Sequence, residues 1–196
     1  MDQKRGDEMC STVESDWLKN ARIVKSPNCD ERPDNVEISL IVIHGISLPP
    51  GEYGGNYIDD FFTNRLDPGI HPYFQKITDL KVSSHLLIRR NGDLIQYVPF
   101  SRRAWHAGIS CYEGCEACND FSIGIELEGQ DDEPYTDRQY IQLEKVIPLL
   151  RTLFPAISGK AVVGHNTIAP GRKTDPGAAF DWSRLARLIS SDSTNI

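Results

Sequence analysis

Long hydrophobic runs are missing from this chain of 196 residues, which has no stretch near the roughly 18 apolar residues of a membrane span. The first ten residues, MDQKRGDEMC, lead into no apolar segment, so no secretory signal is visible and a cytoplasmic location is expected. A basic excess is also missing, because 21 Lys and Arg stand against 28 Asp and Glu, a net charge of −7. We therefore expect neither nucleic acid nor a membrane as a partner.

Apolar runs alternate with polar turns within a length that suits one domain. The apolar, β-branched runs predict strands at residues 40–44, 82–88, 94–98, 121–127 and 161–164. Helical spacing predicts helices at residues 56–66, 143–154 and 182–189, and one helical turn at 16–18. Asn91-Gly92 predicts an antiparallel hairpin. The expected fold class is α/β of the mixed α+β kind, a central mixed β-sheet with packed helices.

Local signals mark the ends of two of these helices. Thr136, with Gln139 three residues later, predicts a capping box before the second helix. Pro148 lies inside that helix and predicts a kink, because it removes one backbone hydrogen bond. Asp181 is the predicted cap of the last helix.

Three residues at strand ends and in a loop have the side chains of a zinc site. His44 ends the run LIVIH, His165 follows AVVG, and Asp175 lies in the loop GRKTDPG. Two imidazoles and a carboxylate leave a fourth position for water in a catalytic zinc site. From spacing alone a single strand-end histidine is more often a hydrogen-bonding structural residue, and the sequence has no H-E-x-x-H motif.

Two further residues have the chemistry to assist such a metal. Glu126, on the predicted strand SIGIELE, is a candidate general base, although a solvent-facing glutamate of a half-exposed strand is the common alternative. Glu128, nearer the loop, is given no role. Lys173 precedes Asp175 by two residues and is a candidate for stabilising an oxyanion, with a solvated loop lysine as the alternative.

Several longer strings resemble the AmpD family of zinc-dependent amidases. They are LIVIHGISLPPGEYGG, VSSHLLIRRNGDLIQYVPF, RAWHAG, CNDFSIGIELEG, YTDRQY and GHNTIAPGRKTDPG. They follow one another in family order from about Trp17 to Leu188. The resemblance implies the N-acetylmuramoyl-L-alanine amidase (peptidoglycan-recognition-protein-like) fold, in a single domain over residues 1–196 whose first 16 residues are a poorly ordered extension.

The resemblance also implies a reaction. The family hydrolyses the amide between the lactyl group of 1,6-anhydro-N-acetylmuramic acid and L-alanine, during cytoplasmic peptidoglycan recycling. It implies one zinc ion, an anhydro-muropeptide substrate and a monomeric enzyme.

Site residues are carried over by position. The zinc ligands would be His44, His165 and Asp175. The catalytic residues would be Glu126 and Lys173. The substrate-binding residues would be Trp105, which can stack on a sugar, His106, which can hydrogen-bond the muropeptide, and Arg103. His85 is expected to be structural.

This chain departs from the family pattern at two positions. Close relatives usually have Asn where Gly45 stands, and often an Arg where Ala117 stands. The stem-peptide preference is therefore open. Two other functions also remain open, an amidase acting on intact peptidoglycan and a non-catalytic peptidoglycan-binding module of the same fold.

Cysteines form an odd set of five, which favours free thiols over disulfides. Cys111, Cys115 and Cys118 follow the spacing C-x3-C-x2-C, which also occurs in iron–sulfur loops and, with His106, could bind a second zinc. Free loop thiols are the favoured interpretation, because the whole chain matches another fold.

The negative net charge does not describe the expected site. An anionic muropeptide needs local attraction, and the zinc ion supplies two positive charges. Four basic residues are expected near the cleft: Lys173, Arg172, Arg102 and Arg103. The site is therefore predicted to be positive, although the protein is acidic.

Overall fold

The computed structural model describes residues 13–14 and 16–190. The predicted extension over residues 1–16 lies mostly outside these described residues. Where it is described, Val13–Glu14 forms β1, which pairs antiparallel with β2, Trp17–Leu18. The predicted helical turn at residues 16–18 is therefore wrong. The backbone N–H of Leu18 donates to Gln96 Oε1 at 2.8 Å and its side chain is buried, so contacts distant in sequence decide this segment.

A mixed sheet of six strands forms the centre of the molecule, in the order β12-β5-β11-β6-β7-β3. Its members, in chain order, are β3 Arg22–Ile23, β5 Leu40–Ile46, β6 Leu86–Ile88, β7 Leu94–Gln96, β11 Ser122–Glu128 and β12 Val162–Gly164. Strands β12, β5, β11 and β6 run parallel, and β7 is antiparallel to β6. The prediction of a mixed sheet is confirmed.

Two short antiparallel pairs flank the sheet. One joins β4, Cys29–Glu31, to β8, Arg102–Ala104, and the other joins β9, Cys111–Tyr112, to β10, Cys115–Glu116.

The hairpin between β6 and β7 begins where Ile88 pairs with Leu94. Its loop is longer than the two-residue turn typical of Asn-Gly, and Gly92 has a φ of 88°. The Gly92 N–H donates to the Arg89 carbonyl at 2.8 Å. The antiparallel hairpin is thus confirmed, whereas the predicted strand at residues 82–88 is shorter, at Leu86–Ile88.

Helices cover both faces of the sheet. On one face, α3 (Asp137–Leu153) and α5 (Trp182–Ser190) pack over the apolar side chains of β5 and β11. On the other, α1 (Tyr57–Phe62) and α2 (Phe74–Ile77) pack over Leu87 and the chain following β7. A further short helix, α4 (His165–Ile168), follows β12 directly. None of the described helices is long and apolar enough to cross a bilayer.

The predicted helix signals are present. Thr136 and Gln139 form a reciprocal capping box at the start of α3, and the N–H of Arg184 in α5 donates to Asp181 at 2.8 Å. Helix α3 continues through Pro148 to Leu153.

Candidate metal centre and active site

Strand register brings the first two site residues together. Glu126 on β11 is the direct partner of His44 on β5 in their parallel pairing, so both side chains leave the same face of the sheet. Gly164 on β12 pairs with Ile43, and His165 follows it as the first residue of α4. Three neighbouring parallel strands thus deliver these side chains to their carboxyl ends, where sites in such sheets form.

The three predicted metal ligands converge. His44 Nδ1 lies 3.0 Å from His165 Nδ1 and 3.2 Å from Asp175 Oδ2, and His165 Nδ1 lies 3.1 Å from the same oxygen. Both imidazoles are buried, whereas the Asp175 side chain is 15% exposed on the cavity side. Within the described residues this is the only cluster of three or more His, Cys, Asp or Glu residues with a metal-binding arrangement.

The outer ring nitrogens of both histidines are bonded away from the cluster. His44 Nε2 lies 2.9 Å from His106 Nδ1, and His165 Nε2 lies 3.1 Å from the Ala107 carbonyl. A carbonyl only accepts, so His165 carries its proton on Nε2 and presents the bare Nδ1 lone pair to the cluster.

This donor set fits a zinc ion. Burial lowers the pKa of His44 to about 4, so this imidazole is neutral and able to ligate near pH 7. Burial opposes ionisation of Asp175, but its close contacts with His165 and His44 outweigh burial and hold the pKa of this carboxyl well below its usual range. Lone pairs of two nitrogens and a carboxylate meeting at about 3 Å repel one another unless a cation lies between them.

Glu126 is buried at 8% exposure, and its carboxyl has no hydrogen-bond or ion-pair partner among the described residues. Burial, reinforced by the negative charge of Asp175, raises the pKa of Glu126 well above its usual value, while Lys173 opposes that shift. The burial of Glu126 excludes the alternative that it is a solvent-facing residue of a half-exposed strand. A carboxyl kept buried without partners beside a ligand cluster has the features of a general acid–base group.

Lys173 lines the same cavity from the loop between α4 and Asp175, with its side chain exposed. The loop is held by two backbone bonds, from Lys173 N–H to the Ala169 carbonyl and from Asn166 N–H to the Asp175 carbonyl, each 3.0 Å. The ammonium has no ion-pair partner among the described residues, and its charge acts on Glu126 and His44.

A cavity of about 760 Å³ opens over these residues. One wall is apolar and includes Leu48, Phe62, Tyr73, Leu80, Val82 and Trp105. The lining also has polar residues, among them Ser47, Gln130, Asp131, Asp132 and Lys173. Trp105 is held in that wall by a bond from its Nε1 to Asp30 at 3.1 Å. The apolar wall is a feature that the strand and loop patterns did not reveal.

His106, which is predicted to hydrogen-bond the substrate, lines the cavity, but both of its ring nitrogens contact protein partners. Its ring is buried against β11, and its two nitrogens contact His44 Nε2 and Ser122 Oγ at 2.9 and 3.1 Å. Burial and the neighbouring histidines lower its pKa well below the usual value. Both nitrogens therefore serve bonds within the protein. Ser122 and Gly124 lie on the same face of β11 as Glu126. This alternation was the sequence signal that could have indicated a buried polar contact for His106.

Arg103 differs from the prediction that it binds the substrate, because acidic partners fully engage its guanidinium. It donates to both oxygens of Asp30, at 2.7 and 2.6 Å, and to Asp120 at 2.5 Å. These hydrogen bonds raise the pKa of Arg103, and the residue is absent from the cavity lining. Its role is to fasten β8 to β4 and to the start of β11.

The prediction that four basic residues make the cleft positive is also corrected. Arg102 pairs with Glu31 at 2.5 Å, and Arg172 donates to the carbonyls of Ala107 and Ile109 at 2.6 and 2.7 Å. Of the four basic residues expected near the cleft, Lys173 alone lines the cavity, against four acidic residues: Glu126, Asp131, Asp132 and Asp175. The lining is therefore acidic, and a metal ion would be needed to offset its negative charge.

The departures from the family pattern are visible in the structure. A Cβ at Gly45 would meet the hydroxyl of Tyr135, which donates to the Pro176 carbonyl at 3.0 Å. Ala117 is exposed and lies outside the cavity lining. The loop cysteines Cys111 and Cys115 are exposed free thiols on β9 and β10, and Cys118 is a buried one. The described part of the chain shows no metal cluster at these cysteines.

The fold and site define a class of enzyme that a family comparison identifies. The family model Amidase_2, described as N-acetylmuramoyl-L-alanine amidase, matches residues 34–178. That range contains His44, Glu126, His165, Lys173 and Asp175.

Individual relatives narrow the class. The chain is 56% identical over 181 residues to the 1,6-anhydro-N-acetylmuramyl-L-alanine amidase AmpD of Citrobacter freundii, covering 92% of this chain and 96% of the relative. A crystal structure of a selenomethionine AmpD derivative matches with 57% identity and a TM-score of 0.88, over 90% of this chain and 98% of that one. The chain belongs to the AmpD family of N-acetylmuramoyl-L-alanine amidases, as its sequence motifs indicated.

A more distant solved structure shares the fold and contains a ligand. It is the amidase AmiD of E. coli in complex with the substrate anhydro-N-acetylmuramic acid-L-Ala-D-γ-Glu-L-Lys. This match has 32% identity and a TM-score of 0.57, and it covers 81% of this chain and 60% of AmiD.

Proposed function

We propose that this chain hydrolyses the amide between the lactyl carboxyl of 1,6-anhydro-N-acetylmuramic acid and L-alanine of muropeptides, as a cytoplasmic, monomeric, single-domain enzyme of peptidoglycan recycling. The observation that carries the proposal is the pairing of Glu126 with His44 across β11 and β5. It sets a buried carboxyl, which has no partner among the described residues, beside three converging metal-ligand atoms.

The substrate class is supported by the relatives. The names of the AmpD proteins specify the 1,6-anhydro form of the muramyl group, and they match this chain over more than nine-tenths of its length. The AmiD structure is a complex with an anhydro-muropeptide substrate.

One zinc ion, held by His44, His165 and Asp175, is the proposed cofactor. Their nitrogen and carboxylate donors suit zinc, and three protein ligands leave room for water and substrate. Zinc bound there would supply Lewis acidity, polarising the amide carbonyl and lowering the pKa of water toward about 7.

Glu126 is the proposed base and then acid. Its carboxylate takes a proton from the water that attacks the lactyl carbonyl carbon, and it returns that proton to the alanine nitrogen as the C–N bond breaks. The raised pKa of Glu126 suits both transfers, because its carboxylate binds a proton more strongly than an ordinary glutamate does and then holds that proton for the second transfer. The products are the lactyl carboxylate and a peptide beginning with a free L-alanine amine.

Lys173 is the proposed partner of the developing oxyanion. Its ammonium lies on the cavity wall without a competing carboxylate partner among the described residues. A cation there favours the charge that forms on the carbonyl oxygen during attack.

The apolar and polar residues of the cavity lining suggest which parts of the substrate they bind. The apolar wall with Trp105 suits the face of the anhydro sugar, because an indole stacks on a ring of C–H groups. The polar lining residues Ser47 and Gln130 offer hydrogen bonds to the peptide. The scissile amide would then lie at the neighbouring residues His44 and Glu126.

Product analysis tests the substrate assignment. Purified enzyme is given a 1,6-anhydro-muropeptide or, in a parallel reaction, intact sacculi, and the products are identified by mass spectrometry. We expect rapid release of a peptide with L-alanine at its amino end from the anhydro-muropeptide and little release from sacculi. Preference for sacculi would assign the chain to the lytic amidases, and binding without cleavage of either would make it a recognition module.

A further inference from the structure

Four of the five histidines of the chain lie in one buried group, of which the proposed ligands account for two. His106 lies edge-on to His44, with ring centroids 5.0 Å apart, and connects it to a buried serine. The sequence of contacts is His44 Nε2 to His106 Nδ1 at 2.9 Å, His106 Nε2 to Ser122 Oγ at 3.1 Å, and Ser122 Oγ to the Cys118 carbonyl at 2.5 Å.

The Cys118 carbonyl, at the end of this series of contacts, fixes the direction of each hydrogen bond in it. The Cys118 carbonyl can only accept, so the Ser122 hydroxyl donates to it and its oxygen is left to accept from His106 Nε2–H. A neutral His106 then has a bare Nδ1, which accepts from His44 Nε2–H. His44 is left with its lone pair on Nδ1, the atom that faces His165 and Asp175.

This relay, the series of contacts from His44 through His106 and Ser122 to the Cys118 carbonyl, is held in place by the backbone around it. A Cβ at Gly124 would lie 2.6 Å from His106 Cγ, so glycine allows the ring to lie flat against β11. Asn119 Oδ1 accepts from the backbone N–H groups of His106 and Ala107, at 3.0 and 2.8 Å. Ser122 is fully buried, which removes water as an alternative partner.

We propose that His106 and Ser122 are positioning residues that hold His44 in its Nδ1-ligating tautomer and orientation and thereby set the affinity of the site for zinc. The inference rests on the zinc site proposed above. Hydrogen-bond partners of ligating histidines fix the ring and raise the basicity of the ligand atom, and losing one costs about 10- to 100-fold in metal affinity.

Two variants of His106 separate the hydrogen bond from packing. In His106→Asn the amide oxygen can take the place of Nδ1 and accept from His44, whereas His106→Leu has a similar size and no acceptor. We expect His106→Leu to weaken zinc binding about 10- to 100-fold and His106→Asn to stay within a few fold of wild type.

Ser122→Ala tests the outer bond and has a matched control. Ser26 is also buried, and its hydroxyl donates to the Phe62 carbonyl at 2.5 Å and makes no hydrogen bond to a histidine among the described residues. We expect Ser122→Ala to weaken zinc binding about three- to tenfold, the value of one hydrogen bond. Ser26→Ala should leave zinc affinity unchanged, although both substitutions remove a similar bond.

The measurement is the zinc dissociation constant of each purified full-length variant by competition with a chromophoric chelator, together with the melting temperature of the zinc-free protein. Equal zinc affinity in His106→Leu and His106→Asn, or in Ser122→Ala and wild type, would overturn the relay. If His106→Leu does not fold, the serine pair decides. Absence of zinc binding in wild type would instead refute the proposed function.

Discussion

Two glutamates on the same face of one strand differ in their polar partners and in their expected roles. Glu126 and Glu128 are two residues apart on β11, and both are buried, at 8% and 3% exposure. Glu128 Oε1 accepts from Arg89 at 2.8 Å and from the Gly54 N–H at 2.7 Å, and its other oxygen accepts from the Arg90 N–H at 3.2 Å. Glu126 has none of these partners and faces the cavity.

The difference shows what burial alone does not reveal. A buried carboxylate with a cation and two N–H donors stabilises the fold locally and has no reason to change its protonation state. A buried carboxyl without partners costs stability and is ready to exchange a proton. The four predictions below test that division, from the largest expected effect to the smallest.

Glu126→Gln should abolish most of the activity and keep the fold. Gln has nearly the same shape but no basic carboxylate, so kcat/KM for an anhydro-muropeptide should fall by about 10²- to 10⁴-fold. Zinc content and the free energy of unfolding should not fall, because an unpaired buried acid is removed. Steady-state kinetics, metal analysis and urea unfolding give these values, and near-normal turnover would remove Glu126 from the mechanism.

Glu128→Ala should do the reverse. It leaves the buried Arg89 guanidinium without its close carboxylate and is expected to lower the free energy of unfolding by about 3–5 kcal/mol. Activity per folded molecule should be largely kept, since Glu128 lies outside the catalytic cavity.

The control for Glu128→Ala is Glu133→Ala, which removes an exposed carboxylate that pairs with Arg90 and accepts from the Tyr53 hydroxyl, and it should cost no more than about 1 kcal/mol. Urea denaturation compares the two variants. Equal losses would show that the buried pair has no special weight.

Lys173→Met should lower kcat about 10- to 100-fold, less than loss of an enclosed oxyanion donor, because this side chain is exposed to water. Stability and zinc binding should change little. Lys145→Met, an exposed lysine on α3 far from the cavity, is the control for charge. An unchanged kcat in Lys173→Met would assign the residue to the solvated surface.

Thr136→Ala should have the smallest effect, a loss of about 1 kcal/mol in the free energy of unfolding with normal kinetics. Its hydroxyl caps α3 and donates to the Arg90 carbonyl at 2.7 Å, beside the Glu128 network. Thermal unfolding measures the loss. A change in kcat as large as that of Lys173→Met would mean that the two regions are coupled.

Much of this division could be predicted, because local chemistry determines it. Alternating side chains on β11 placed Glu126 on one face, and the residue types of His44, His165 and Asp175 suggested a metal. The cap at Thr136 and the hairpin at Gly92 follow from residues close in sequence.

What could not be predicted depends on contacts between distant residues. The partner of Glu128 is Arg89, 39 residues away. A glutamate that was given no role from the sequence therefore forms a buried ion pair. Arg103 was assigned to substrate, yet Asp30, 73 residues earlier, neutralises it. The register of β5 and β11, which sets Glu126 against His44, is decided by the packing of the whole sheet.

Zinc titration of the stripped enzyme tests the central claim most directly. Protein freed of metal with a chelator is titrated with zinc while hydrolysis of an anhydro-muropeptide is followed. We predict no activity without metal and a linear recovery that ends at about one zinc per chain, with Asp175→Ala failing to recover at that ratio. Full activity in the metal-free protein, or equal recovery in Asp175→Ala, would contradict a zinc hydrolase centred on His44, His165 and Asp175.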